Sequence, residues 1–187
     1  GAGGAIRTVY KACAGKQRCG GRFDRPPDVQ LELGIDIMAR RRAREFALKA
    51  LYQADLSGGN HADALEGLFA GLLDGESDEK PAEADEIEFA KRVVRCVSDR
   101  GAEIDALIEQ ASVNWRLVRM PIVDRSILRL ATGEMLLLDD VPASVSINEA
   151  VELAKAFGEK ESRAFVNGIL DRIASILGRG GRRHSQA

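Results

Sequence analysis

Aromatic residues are scarce in this sequence: six Phe, two Tyr and one Trp make up 5% of the chain. Aliphatic side chains and alanine must therefore build the core. Cysteine is nearly absent as well. Cys13, Cys19 and Cys96 are odd in number, and two of them fall in a Gly-rich leader, so no disulfide framework is expected. There is no CxxC pair, no HExxH and no Cys/His cluster, and the two histidines, His61 and His184, lie far apart. Neither a metal site nor a cofactor is expected from such spacings. Enzyme signatures are missing too: there is no GxGxxG after a strand, no Walker loop and no GxSxG. Nothing marks a nucleophile paired with a base, so catalysis is not expected. No apolar run approaches the length of a membrane span, and the N-terminus has no continuous apolar core of the signal-peptide kind. The expectation is a cytoplasmic chain with no membrane partner. The net charge of -2 excludes a polycation, so any nucleic-acid binding must use a local patch.

What remains is an ordinary globular composition, 45% hydrophobic and 30% charged over 187 residues. Residues 1–37 do not match the rest. They are rich in Gly, interrupted by Arg22-Phe23-Asp24-Arg25-Pro26-Pro27, and hold six basic and four acidic residues without a sustained period. The reading favoured here is a disordered leader, or sequence translated ahead of Met38, rather than a functional arm. Helical pattern begins abruptly after Met38, a helical domain is expected over 38–178, and residues 179–187 read as a flexible basic tail.

The pattern predicts seven helices and an all-α class. The first runs from about Arg40 to Leu56, with Ala43, Ala47, Ala50, Leu51 and Ala54 on one stripe and Ser57-Gly58-Gly59-Asn60 as the stop. The second carries Leu65, Leu68, Phe69, Leu72 and Leu73. The acidic stretch from Asp74 to Glu88 reads as a solvated loop and the start of a third helix with Ile87, Ala90, Val93, Val94 and Val97. Gly101 breaks it, and Ile104, Leu107, Ile108 and Ala111 mark the fourth. Pro121 suits the first position of a fifth helix, apolar over most of its circumference and so expected to be central. Ser146-Ile147-Asn148-Glu149 reads as a capping box opening the sixth, and Gly158 as its stop. The seventh spans about Ser162 to Leu177. Asn167-Gly168 is a hairpin cue, but the flanking apolar positions repeat at helical spacing, so the helix is preferred. Gly168 then costs about 1 kcal/mol against alanine, and close approach of a neighbouring helix is the expected compensation.

The strongest chemical feature is Arg40, Arg41, Arg42 and Arg44 at the expected start of the first helix. Cations there oppose the helix dipole and repel one another. A phosphate backbone would relieve both problems, whereas the plainer alternative is a solvated, frayed helix start. Arg41, Arg44, Leu48, Tyr52 and Asp55 share a second face, on which Leu48 and Tyr52 suggest either a contact surface or a seam with the next helix. Arg163 and Arg172, with Arg179, Arg182 and Arg183, could extend a basic surface. Phe165 reads as core or as a base-stacking platform.

Met38–Tyr52 (MARRRAREFALKALY), Pro121–Glu134 with VDRSILRLATGE, and above all Val141–Gly168 with INEAVELAK, a short loop and FVNG resemble the NusB family of bacterial transcription antitermination factors. The resemblance covers about Ala39 to Leu177. It implies seven helices in two roughly perpendicular three-helix bundles. It also implies binding to boxA, a single-stranded RNA element of nascent ribosomal RNA transcripts, together with the ribosomal protein NusE in the RNA polymerase antitermination complex. By position, Arg40, Arg41, Arg42 and Arg44 match the family's RNA-binding arginines, Glu161 and Phe165 match RNA-contacting positions, and Tyr52 and Asp124 match positions that contact NusE. Two positions depart from the pattern: Glu161 stands for an Asp, and Ala164 for a Lys. Two other readings stay open: a non-catalytic relative of the N-terminal domain of a ribosomal RNA methyltransferase, and a protein-only helical scaffold. The oligomeric state, a homodimer included, is also open.

Overall fold

In this computed structural model the described residues are 27–73, 80–113, 115–138 and 142–179, with side chains described from residue 40 onward. Contacts divide the chain into units 1–33 and 34–187, and the account below concerns the second. Among the described residues, seven α-helices and one 3₁₀ turn follow in order: α1 (Pro27–Ser57), α2 (His61–Leu73), α3 (Ala84–Asp99), α4 (Gly101–Ala111), the 3₁₀ turn Leu117–Arg119, α5 (Ile122–Leu137), α6 (Ala143–Phe157) and α7 (Ser162–Ile176). The all-α class and the seven expected helices are thus observed, including helix across Asn167-Gly168.

Helix α1 starts at Pro27, well before Arg40. Proline fits a first helical position because its missing N–H would be unsatisfied there anyway. The arginines therefore lie inside a helix rather than at its start, and residues 27–37 of the expected leader are helical. Residues 1–26 and the tail from 180 lie outside the described residues. The alanine stripe of α1 is buried as expected, and Phe46 meets Phe69 of α2 edge to face at 5.5 Å. Gly58, in the left-handed region at φ 67, ends α1, and Asn60 Oδ1 accepts from Ala62 N–H at 2.7 Å to open α2.

The capping box lies elsewhere than expected. It joins Glu83 and Glu86 at the start of α3, where Glu86 accepts from the Glu83 N–H at 2.8 Å. Ser146 sits one turn inside α6, which begins at Ala143 after Pro142. Its hydroxyl donates to the Glu134 carboxylate at 3.1 Å, and because the helix already begins at Ala143, Ser146 is not in a capping position. Gly158 does end α6, but by close approach: a Cβ there would lie 2.7 Å from both the Ala154 carbonyl oxygen and the Ser162 Cβ.

Helix α5 is central, as its apolar circumference predicts: it packs against α3, α4, α6 and α7. Ile127, Leu128, Leu130, Ala131 and Met135 are buried on it. Gly133 permits the crossing with α3 and α4, because a Cβ there would stand 2.9 Å from Val97 Cγ2 and 3.6 Å from Ile104 Cδ1. The expectation for Gly168 is corrected. It is exposed, and nothing lies within 4 Å of a Cβ built on it. No neighbouring helix compensates for its presence.

Candidate functional site

The four arginines occupy three different environments. Arg44 is only 4% exposed, and its Nε and Nη2 donate to the two oxygens of Glu134, itself fully buried, at 2.8 and 2.5 Å. That fork is the geometry for which guanidinium and carboxylate are matched. Arg44 also lies 5.3 Å from the ring centroid of Phe89. It is a buried cross-strut between α1 and α5, and its burial contradicts the expectation that it faces a phosphate. Arg42 is turned inward over Phe46 and donates to Glu86 at 3.0 Å, to the Pro81 carbonyl at 3.3 Å and to the Lys80 carbonyl. Its guanidinium thereby holds the segment before α3.

Arg41 is the most open of these paired arginines, with 43% of its side chain exposed. Its Nε and Nη2 donate to Glu149 of α6 at 3.2 and 3.3 Å, and Nη1 makes no hydrogen bond among the described residues. Glu149 fixes the direction of Arg41 while leaving one edge of the guanidinium open. Arg40 is partly exposed beside Phe89, at 5.9 Å.

Between the arginine segment and α7 lies Glu152. Lys155 donates to it and holds its carboxyl below the usual range, with smaller contributions from Arg41 and Arg163. Glu152 therefore has cations from both α1 and α7 near it. Glu161, the residue preceding α7, is exposed. Phe165, one turn on, is half-buried and meets Trp115 edge to face at 5.9 Å. Arg163 on α7, and Arg116 and Arg119 in the segment after Trp115, are exposed and form no ion pair among the described residues. Arg172 donates to the Ala111 carbonyl at 3.0 Å, and Arg179 to the carbonyls of Met135 and Leu138. Arg182 and Arg183 lie outside the described residues.

On the other face, Leu48 is buried, so it belongs to the core, while Tyr52 is 38% exposed with Leu56 exposed one turn later. Beside them Asp55 accepts from Arg125 at 3.0 Å and from Arg129 at 3.0 Å, and Arg129 reaches on to Asp105 at 2.7 Å. Asp124 is 4% exposed, which corrects the expectation of a carboxylate on an open surface. Its Oδ1 has no hydrogen-bond partner among the described residues, and its neighbour Ser162 uses Oγ to accept from the Glu159 N–H at 2.9 Å. Burial pushes the Asp124 carboxyl up, Ser162 pulls it down, and Glu159 adds a smaller push upward. The net direction is upward, so folding favours the protonated form. Asp124 contributes stability below its unfolded range and loses it as the pH rises through its folded value. Asp124→Asn should then melt no lower than wild type at pH 7, and any advantage should shrink as the pH falls through the carboxylate range. A thermal melt series against pH checks this, and a lower melting temperature at pH 7 would show that the charged form is the favoured one.

Three features were missed by sequence reasoning. Glu134 and Glu149 are the counterions of the arginine segment, and a carboxylate within a nearly all-apolar helix was the available signal for Glu134. The Asp55–Arg125–Arg129–Asp105 network has no local signature. Trp115 was not singled out at all.

Fold and site together define a helical binding protein with its open cations along one edge. A family model described as "NusB family" matches residues 41–175. The transcription antitermination protein NusB of Myxococcus xanthus is 48% identical over 139 residues, which cover 74% of this chain and 96% of that protein. The protein of the same name from Geobacter sulfurreducens is also 48% identical, with 74% and 96% covered. Among solved structures, Thermotoga maritima NusB superposes with a TM-score of 0.64 at 39% identity, covering 73% of this chain and 90% of that one. A structure of the antitermination factors NusB and NusE in complex with double-stranded RNA matches with a TM-score of 0.63 at 27% identity, covering 74% and 98%. The chain belongs to the NusB family.

Proposed function

We propose that this protein is a non-catalytic, RNA-binding transcription antitermination factor. It recognises boxA-type single-stranded RNA in nascent ribosomal RNA transcripts and works with the ribosomal protein NusE in the cytoplasmic RNA polymerase antitermination complex. The observation that carries this reading is the set of open arginines on either side of α6: Arg40 and Arg41 on α1, the latter aimed by Glu149, and the exposed Arg163 on α7. An overall charge of -2 makes such a local concentration of cations the feature a polyanion would find. The names of the relatives and the NusE–RNA complex of a structural neighbour support it. Within this reading, Arg40, Arg41 and Arg42 belong to the RNA side, with Glu161 and Phe165 at its far end. Arg44 stiffens the segment from beneath. Tyr52 belongs to the NusE side, and Asp124, being buried, acts on that side only from within the fold.

The test is salt-dependent binding of a boxA oligoribonucleotide. Each phosphate contact on a single strand contributes about -0.7 to the slope of log K against log salt. Arg40→Ala with Arg41→Ala should therefore flatten the slope by about 1.4 if both reach phosphates. An unchanged slope would favour the protein-only scaffold, in which the arginines meet acidic partners.

A further inference from the structure

Val113, Trp115, Ala164, Phe165, Gly168 and Arg172 line a groove of about 380 Å³ between the end of α4 and the outer face of α7. A surface groove of that size falls within the range that holds small ligands. Trp115 is 52% exposed, a large apolar ring left half in water. Phe165 braces it edge to face, so its orientation is fixed before anything binds. Glycine weakens a helix interior, yet Gly168 faces open space, so packing does not account for it. Its missing side chain keeps the groove floor low, a use that suits close approach of a ligand to backbone.

We propose that this groove seats one unstacked nucleobase of the bound RNA, with Trp115 as its platform, Phe165 as the brace and Gly168 as the gap that admits it. The proposal rests on the reading of the protein as a single-stranded RNA binder. Charge decides the class of occupant. Arg116 follows Trp115 directly and Arg119 comes four residues after it, Arg163 precedes Phe165 by two residues, and all three are exposed without an ion pair among the described residues. Asp171, the residue before Arg172 on α7, accepts from Asn167 Nδ2 at 3.2 Å. Aromatic platforms flanked by arginines are how proteins hold single strands, because every base has a π-face and every nucleotide a phosphate.

Trp115 is the sole tryptophan of the chain, so its emission reports this groove alone. Full-length protein is titrated with a fluorescein-labelled boxA oligoribonucleotide, with anisotropy and Trp115 emission read in parallel. The emission should quench with the same midpoint as the anisotropy change. An abasic ribose at one position of the oligomer should abolish the quench and weaken binding about tenfold, the scale of one base–aromatic stack. Gly168→Leu should fill the gap and weaken binding about tenfold while melting no lower than wild type, and Trp115→Ala should match it. Trp115→Phe should keep most of the affinity. Anisotropy binding with an unmoved Trp115 emission and full affinity in Gly168→Leu would overturn the groove while leaving RNA binding intact, and would assign the groove to a protein. Absence of any anisotropy change in the unaltered protein would remove both readings. The abasic scan needs no substitution in the protein, so it decides the matter even if Gly168→Leu folds poorly.

Discussion

Glu134→Ala should lower the melting temperature by about 6–20 °C, corresponding to about 3–5 kcal/mol in a domain of this size. The carboxylate is fully buried and serves as acceptor for Arg44 Nε and Nη2 and for the Ser146 hydroxyl. Removing it strands a buried guanidinium and a buried hydroxyl at once. Each stranded donor carries its full desolvation cost, and the charged one carries most. Loss of the pair as a whole is a different matter. Arg44→Met combined with Glu134→Leu leaves no charge uncompensated, and a well-packed apolar replacement of a buried ion pair is often neutral. The double variant should therefore recover most of what Glu134→Ala loses, with a coupling energy of opposite sign to the single losses. It should also keep the wild-type salt slope for RNA, because Arg44 does not reach solvent. Thermal melts of the single and double variants measure the cycle. A loss below about 1 kcal/mol in Glu134→Ala would show that the site admits water and that Arg44 stays solvated without its partner.

This pair shows what the sequence conveys and what it does not. Helix positions follow from apolar spacing within a dozen residues, which is why seven helices and the central place of α5 were readable. The arginine segment was readable as chemistry, since four guanidiniums in five residues need anions. Which anion each one meets is set by contacts across 90 residues for Arg44 and 108 for Arg41. No local pattern encodes those. The same physics misplaced the capping box. Ser146 and Glu149 have the right spacing, but Pro142 already sets where α6 begins, and Arg41 takes the Glu149 carboxylate. The true box uses Glu83 as the cap, an unusual residue for that position. Burial separated positions that resemblance treated alike: Arg41 and Arg44 within one motif, and Tyr52 and Asp124 within one expected surface.

Gly133 and Gly168, both inside helices, carry the last prediction, because they look the same in the sequence and should respond with opposite signs. Gly133→Leu should destabilise the fold by about 3 kcal/mol or more, toward the upper end of what overpacking costs. A first carbon at this position already stands 2.9 Å from Val97 Cγ2, with Ile104 Cδ1 at 3.6 Å and Cys96 Sγ at 3.9 Å. Val97 is β-branched and buried in a helix, so it has one comfortable rotamer and little room to turn aside. The remaining carbons of leucine must enter the contact of α5 with α3 and α4, where the backbone itself is engaged: Cys96 Sγ donates to the Gly133 carbonyl at 3.4 Å. Helix propensity returns only about 1 kcal/mol of this. At Gly168 the balance reverses. Nothing meets the new Cβ, so Gly168→Ala keeps the propensity gain and should stabilise by about 0.5–1 kcal/mol. Urea denaturation separates the two, each as a shifted midpoint at unchanged slope. A neutral Gly133→Leu would mean that α3 and α4 can move apart without loss, and that the centre of the fold is looser than its contacts.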